Sequence, residues 1–270
     1  MDRYAFCHPG KIGDALYTLP SIHTICERDN VSATFYTSSA CQQLERLFLY
    51  QDHIEEFIVP ADYRISNEGQ GIQPWKMHVK GNYKRVYQLG FEHFPRGALH
   101  KFIGATAGLT SVPDPYYKYP DISFYNEPYI VIGFSSLRSW PNMKTSYENL
   151  IKQCPIKVVQ TGLPQDYLDA PCENKIGLDL LEVLSLLSQA IMFVGFYSGL
   201  LALANGFPDL PKIITLIHKG TGEQHGLHIA NTYEIIHSQY LPIRPTDASV
   251  FEENLISTVL TKLEEQLNDR

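Results

Sequence analysis

The sequence lacks the cysteine patterns that mark metal-binding and disulfide-rich proteins. Its five cysteines are odd in number and form no Cys-x-x-Cys pair. We therefore expect reduced thiols and a cytoplasmic location. No secretory signal peptide is predicted either, because the charged Asp2 and Arg3 lead into only a short apolar stretch before a glycine-containing loop.

Long apolar runs are also missing. One uncharged stretch, residues 185–208, has the length of a bilayer-spanning helix, but polar residues and three glycines interrupt it. Its pattern divides into a helix, a strand, a turn and a second helix. We therefore predict no transmembrane segment.

Two nucleotide-binding motifs are not present. No Gly-x-Gly-x-x-Gly motif follows a predicted strand, which argues against a Rossmann-type oxidoreductase. The loop at residues 8–14 contains Lys11, but Ile12 follows it where a Walker A motif has Ser or Thr, and the upstream glycine is missing.

Positive charge is scarce overall and concentrated in one region. The chain has 22 Lys and Arg against 29 Asp and Glu, a net charge of -7, which argues against non-specific nucleic-acid binding by the whole surface. Residues 74–101 carry six basic residues and one acidic residue, or +5, so the rest of the chain carries about -12. This region favours an anionic partner, and Trp75, Tyr83 and Tyr87 would supply stacking surfaces if that partner were DNA. The alternative is a solvated face that balances acidic residues elsewhere.

The chain does contain two runs of alternating strand and helix patterns, which are typical of parallel sheets covered by helices. We predict an α/β fold with domains at residues 1–127 and 128–250, joined by the proline-rich segment 111–128. A last helix, 251–270, carries one apolar stripe and is expected to pack back toward the N-terminal domain. At this length each of two small domains can bury its own core.

Three loops follow predicted strands, where open parallel sheets bind ligands. The first, 8–14, ends in Asp14, which is either the N-cap of the next helix or a general base. The second, 135–141, offers two hydroxyls and a guanidinium that suit a diphosphate, or is a surface loop. The third, 195–199, is either a helix N-terminus with N–H groups available to an anion or an ordinary capped turn.

Three segments, in this order, resemble the ADP-heptose:lipopolysaccharide heptosyltransferase family. They are GKIGDALYTLPSIHTI, SSLRSWPNMKTSYENLIKQCPIKVVQTG and LDLLEVLSLLSQAIMFVGFYSGLLALANGFPDLPKIITL. The matches cover most of residues 1–60 and 129–217. Their order and spacing carry the resemblance.

The resemblance implies a GT-B fold, in which two Rossmann-like domains with parallel sheets face one another across a cleft. It implies metal-independent, inverting sugar transfer from a nucleotide-sugar, with no cofactor. Asp14 is then the candidate catalytic base, and Lys11 and Gly13 lie in the acceptor-side loop. The donor-binding residues that it implies are Ser135, Ser136, Arg138, Gln160, Thr161, Gly162, Tyr197, Ser198 and Gly199.

The chain departs from the family pattern near the third loop. Tyr197 stands where the family has an Asp before Ser-Gly, and the His of the following helix is missing, with Leu201 or Ala202 near its place. These departures predict a sugar other than heptose, or a catalytically silent sugar-nucleotide-binding or assembly protein. The expected acceptor is anionic, either a lipopolysaccharide core or a modified DNA base.

Overall fold

In the computed structural model the chain forms two α/β units that divide between Tyr119 and Pro120. The structure describes residues 2–61, 76–90, 98–134, 143–196, 198–215, 240–243 and 248–269. The division falls inside the predicted proline-rich linker, a few residues before the expected boundary at 127/128.

The first unit is built on four parallel strands in the order β3-β2-β1-β4. The strands are β1 (Arg3–His8), β2 (Ser32–Thr37), β3 (Ile54–Ile58) and β4 (Arg85–Gln88). The helices are α1 (Ile12–Leu16), α2 (Leu19–Asp29), α3 (Glu45–Leu49) and α4 (Leu99–Thr106), with a 3-10 turn at Ser39–Leu44 before α3. Strands β1 and β2 are buried almost throughout, as parallel strands covered on both faces are.

Pro20 explains why two helices, α1 and α2, follow β1 instead of one continuous helix. It lies in the first turn of α2, where its missing N–H costs no helical hydrogen bond. The preceding α1 ends at Leu16, and the hydroxyl of Thr18 donates to the carbonyl of Ala15 at 2.6 Å across the break. The helical segment after β1 is therefore interrupted between Leu16 and Leu19.

The second unit is built on six parallel strands in the order β10-β9-β8-β5-β6-β7. The strands are β5 (Tyr129–Gly133), β6 (Lys157–Gln160), β7 (Glu173–Asn174), β8 (Met192–Phe196), β9 (Lys212–Thr215) and β10 (Tyr240–Ile243). The helices are α5 (Met143–Gln153), α6 (Leu180–Gln189), α7 (Gly199–Ala204) and α8 (Ala248–Asn268). Two parallel sheets confirm the predicted α/β class. No helix within the described ranges is both long and apolar enough to cross a bilayer.

The C-terminal helix α8 belongs to the second unit. Its apolar stripe joins the core formed by β5, β8 and α5, and the Asn149 amide donates to Glu252 at 3.0 Å along the α5 contact. The buried residues of the stripe are Phe251, Leu255, Val259 and Leu263. The stripe therefore fills the core of the second unit, and the expected packing of this helix toward the N-terminal domain stays a prediction.

One lysine is fully buried at the start of β9. Lys212 is 0% exposed, and its ammonium donates to the carbonyls of Phe207 and Leu210, both at 2.7 Å. Burial lowers the pKa of Lys212 to about 7. In the folded protein, a part of the Lys212 side chains is therefore uncharged near neutral pH.

This lysine predicts a measurable pH dependence of stability. The unfolded chain keeps the Lys212 proton up to about pH 10.4, whereas the folded chain releases it near 7. The unfolded state binds more protons between these values, so the contribution of Lys212 to the free energy of unfolding rises with pH by up to about 1.4 kcal/mol per unit. In urea titrations of the second unit's transition, wild type should gain stability relative to Lys212→Met between pH 7 and 9. A difference that does not change with pH would contradict this.

Candidate functional site

The strand order reverses beside the first strand of each unit. In the first unit the chain adds β2 and β3 on one side of β1 and then β4 on the other. In the second it adds β6 and β7 on one side of β5 and then β8, β9 and β10 on the other. In open parallel sheets, the loops at the carboxyl ends of the strands diverge at such a reversal and leave a crevice in which ligands bind. The loops after β1 and β5, and after their partners β4 and β8, therefore border candidate sites.

The loop after β1 is organised by His8. This residue is buried, and its Nδ1 accepts the N–H of Gly10 at 3.0 Å. Burial lowers the pKa of His8 to about 3, so the imidazole is neutral at ordinary pH and Nδ1 remains an acceptor. A Cβ on Gly10 would lie 2.4 Å from Cε1 of His8, which explains why this position is a glycine.

Side chains from the end of β2 and the following turn hold the same loop. The Thr37 hydroxyl donates to the carbonyl of His8 at 2.9 Å. The carbonyl of Gly10 accepts from the Ser38 hydroxyl at 3.3 Å and from the Cys41 thiol at 3.1 Å. Burial raises the pKa of Cys41 to about 11, which keeps the thiol protonated as a donor. Sequence reasoning missed these residues, although a run of small polar side chains after a predicted strand was visible.

Asp14 lies in the first turn of α1 and is half-exposed. The helix begins at Ile12, and its N-cap is Lys11, whose backbone is extended. The interpretation of Asp14 as the N-cap is therefore wrong. A carboxylate in the first turn is still favoured by the helix dipole, and a Cβ on Gly10 would lie 3.2 Å from Cβ of Asp14.

The other two acceptor-side residues flank the start of the same helix. Lys11 is exposed and Gly13 is half-exposed. Their part in acceptor binding, like the catalytic role of Asp14, stays a prediction.

In the second unit, the ends of β5 and β8 carry paired glycines. Gly133 lies opposite Gly195 in the register. A Cβ on Gly133 would lie 2.8 Å from Cδ1 of Leu200, in the first turn of α7, and a Cβ on Gly195 would lie 2.6 Å from Cζ of Phe193. Gly133 therefore allows α7 to begin close against the carboxyl end of β5, and Gly195 leaves room for the ring of Phe193.

Ser198 is the N-cap of α7, as the third loop predicts, but its side chain makes no capping hydrogen bond. The hydroxyl lies 3.4 Å from the carbonyl of Phe196 instead. Ser198 and Gly199 are both half-exposed. The remaining predicted donor residues of these loops, Ser135, Ser136, Arg138 and Tyr197, lie outside the described residues.

The turn after β6 is held together by side chains that the resemblance predicted to bind the donor. Gln160 is fully buried; its amide donates to the carbonyl of Asp166 at 2.6 Å and accepts from the N–H of Leu168 at 3.0 Å. The Thr161 hydroxyl lies 3.2 Å from the carbonyl of Lys175. Gly162 is half-exposed with φ +144°, a conformation that favours glycine. Contact of this segment with a donor stays a prediction; the side chains of Gln160 and Thr161 already have structural partners.

Two cations of the basic region 74–101 lie at the amino edge of the first sheet. Lys84 forms an ion pair with Asp2, and Arg85 begins β4 opposite Tyr4, at the amino edge of the first sheet. Asp14 lies beyond the carboxyl edge of the same sheet. The four residue steps along the strand from Tyr4 to His8 separate the two edges by roughly 13 Å. Lys84 and Arg85 therefore do not extend the Asp14 loop.

The two described tyrosines of this stretch pack against the sheet. The Tyr87 ring stacks on Phe6 with centroids 5.0 Å apart, and the Tyr83 hydroxyl is 3.0 Å from that of Tyr36. Their proposed use as stacking surfaces for bases is therefore not supported. Trp75 lies outside the described residues.

Solved glycosyltransferase structures share this architecture over nearly their whole length. The glycosyl transferase family 9 protein from Veillonella parvula DSM 2008 is 11% identical with a TM-score of 0.65, covering 100% of this chain and 98% of that one. E. coli heptosyltransferase WaaC with ADP-2-deoxy-2-fluoro heptose is 15% identical, with a TM-score of 0.64 and coverage of 97% and 99%. E. coli ADP-heptose lps heptosyltransferase II is 14% identical, with a TM-score of 0.63 and coverage of 100% and 99%.

This chain has the fold of these heptosyltransferases. The predicted resemblance is thereby confirmed in the fold, at identities too low to carry an activity across. No protein-family model and no curated protein sequence matches the chain.

The steric fit of the loop after β1 can be tested by a double-mutant cycle. Gly10→Ala should destabilise the first unit by about 1–3 kcal/mol, because the new methyl group displaces the His8 ring. In a His8→Ala background the colliding ring is gone, so the same substitution should cost much less. The measurement is the free energy of unfolding of all four variants in urea. If the losses of unfolding free energy in the two single variants add up to that of the double variant, the His8 ring is not what excludes a side chain at position 10.

Proposed function

We propose that this chain is a glycosyltransferase that moves a sugar from a nucleotide-sugar donor to an anionic acceptor. One observation carries the proposal: in each unit, the loop after the first strand begins where the strand order reverses. In the first unit this loop starts at His8, and in the second it follows Gly133. These loops contain the residues predicted to do the chemistry. The fold shared with heptosyltransferases supports the same assignment.

In this proposal the second unit binds the donor. Ser135, Ser136 and Arg138 hold the diphosphate, and the backbone at Ser198 and Gly199 assists them. The close approach of α7 to the ends of β5 and β8 supports this, since N–H groups at a helix start favour anions. A guanidinium and N–H groups stabilise the charge of the leaving diphosphate without requiring a metal.

The first unit binds the acceptor, and Asp14 is the base. An acceptor hydroxyl attacks the anomeric carbon as the bond to the diphosphate oxygen breaks, and the bonding electrons leave with the diphosphate. The hydroxyl proton passes to the Asp14 carboxylate. Because the sugar is transferred in a single displacement, the configuration at the anomeric carbon is inverted. The proposal requires a GT-B arrangement, in which the two loops face one another across a cleft during transfer.

Two observations narrow the classes of sugar and acceptor. Tyr197 in place of the family's Asp favours a sugar other than heptose. The packing of Tyr83 and Tyr87 against the first sheet favours a phosphorylated saccharide over DNA as the acceptor. The alternative, also favoured by Tyr197, is a catalytically silent sugar-nucleotide-binding or assembly protein.

The donor is identified by thermal unfolding with UDP-, ADP-, GDP- and CMP-sugars. A true donor raises the midpoint because it binds the native state alone. We expect one nucleotide class to stabilise the protein more than the others at equal concentration. If no member of the panel stabilises the protein, both the transferase proposal and the alternative of a silent binding protein are contradicted.

Asp14→Asn separates the transferase from the silent binding protein. With the donor so identified and phosphorylated saccharides as acceptors, wild type should release nucleoside diphosphate. Asp14→Asn should release it about 10²–10⁴-fold more slowly while the donor-induced thermal shift is kept. Glu55→Gln, which removes an exposed carboxylate on β3, is the matched control and should transfer at the wild-type rate. Transfer by Asp14→Asn at the wild-type rate would exclude Asp14 as the base.

A further inference from the structure

Two imidazoles and a carboxylate lie close to one another in the first unit. His23 and Glu27 lie one turn apart on α2, and His53 immediately precedes β3. Nε2 of His23 is 3.3 Å from a carboxylate oxygen of Glu27, and the rings of His23 and His53 have centroids 5.5 Å apart. One nitrogen or oxygen atom from each of the three residues lies within 4.8 Å of the others.

These separations are close to those of a coordination sphere. Metal–ligand bonds of about 2.0–2.2 Å to imidazole and carboxylate place tetrahedral ligands about 3.4 Å apart. The His23–Glu27 separation already has this value. The widest separation must shorten by at most about 1.4 Å. The side chains of His23 and Glu27, which are 47% and 59% exposed, have room to rotate.

His53 supplies a ligand on a fixed backbone. Its φ is +70°, in the left-handed region, which histidine adopts more readily than most residues other than glycine. Its carbonyl accepts the N–H of Ala33 at 2.7 Å, which ties the turn to β2. The cluster therefore combines one ligand fixed at the sheet with two adjustable ligands on a helix.

The local charge favours a cation. Asp52, beside His53, accepts a hydrogen bond from Lys118 at 2.6 Å. The carboxylates of Asp52 and Glu27 offset a divalent charge, although Lys118 opposes part of it.

We propose that His23, Glu27 and His53 bind a divalent transition-metal ion that ties α2 to the start of β3. Two imidazole nitrogens and one carboxylate suit Zn²⁺, Co²⁺, Ni²⁺ or Cu²⁺, whereas Mg²⁺ and Ca²⁺ prefer oxygen ligands alone. Three protein ligands leave at least one position for water or for a ligand from another molecule.

The position of this site separates it from sugar transfer. Ile54, which follows His53, pairs with Ala33, and Ala33 pairs with Tyr4, so the cluster lies at the amino edge of the first sheet. The loop that carries Asp14 leaves the carboxyl edge, roughly 15 Å away along the strands. The ion therefore stabilises the first unit and takes no part in the reaction.

The test is a titration of tag-free, chelator-treated protein with Co²⁺, followed by its visible ligand-field absorption, and with Zn²⁺, followed by thermal unfolding. Wild type should show a saturable Co²⁺ spectrum, and Zn²⁺ at about 100 times its dissociation constant should raise the unfolding midpoint by roughly 5–10 °C. His53→Asn, which tolerates the same positive φ, and Glu27→Gln should each lose both responses. His78→Asn, at an exposed histidine of the same unit, is the matched control and should keep them.

Two results would overturn the proposal. One is the absence of a saturable Co²⁺ spectrum in wild type, and the other is an equal response in His53→Asn. If His53→Asn does not fold, His23→Gln on the helix provides the same comparison. Nucleotide-sugar binding and transfer are not read in this experiment, so its failure leaves the proposed transferase untouched, and the reverse also holds.

Discussion

Parallel hydrogen bonding on both edges of β1 and of β5 is the constraint on which the rest of the structure depends. Because each first strand has a partner on either side, the later strands of each unit must be added in two directions. The crossover helices then cover both faces of the sheet, and the central strands become fully buried. The same pairing makes the loops after β1 and β5 diverge from those after β4 and β8. The pairing of β1 and β5 on both sides thus determines both the fold of each unit and the position of its candidate site.

The alternation of strands and helices could be predicted from the sequence because it is recorded in local periodicity. Strand order could not, since it depends on which edge of the sheet each crossover reaches. The two-residue β7 could not be predicted either, because two residues are too few to show a periodic pattern. Asp14 was placed at the cap because helix starts are the least certain local feature; α1 begins earlier, directly after the extended Lys11.

The position of the candidate loops after strands could be predicted from the sequence, whereas the burial and bonding of their side chains could not. Gln160 and Thr161 follow a strand as expected, yet their side chains bond to the turn around them. Lys84 and Arg85 are adjacent in sequence to other cations, but strand register places them at the amino edge, away from Asp14. The apolar stripe of α8 was visible in the sequence, whereas the core that it enters was not.

The most direct test of the central claim is hydrogen–deuterium exchange with and without the nucleotide-sugar that stabilises the protein. If the ligand binds at the strand-order reversal of the second unit, protection should appear in peptides covering the carboxyl ends of β5 and β8, around Gly133 and Gly195–Gly199. Peptides at the amino ends of the same strands, around Tyr129 and Met192, should exchange as in the free protein. Protection confined to the amino ends, or to the first unit alone, would contradict the account.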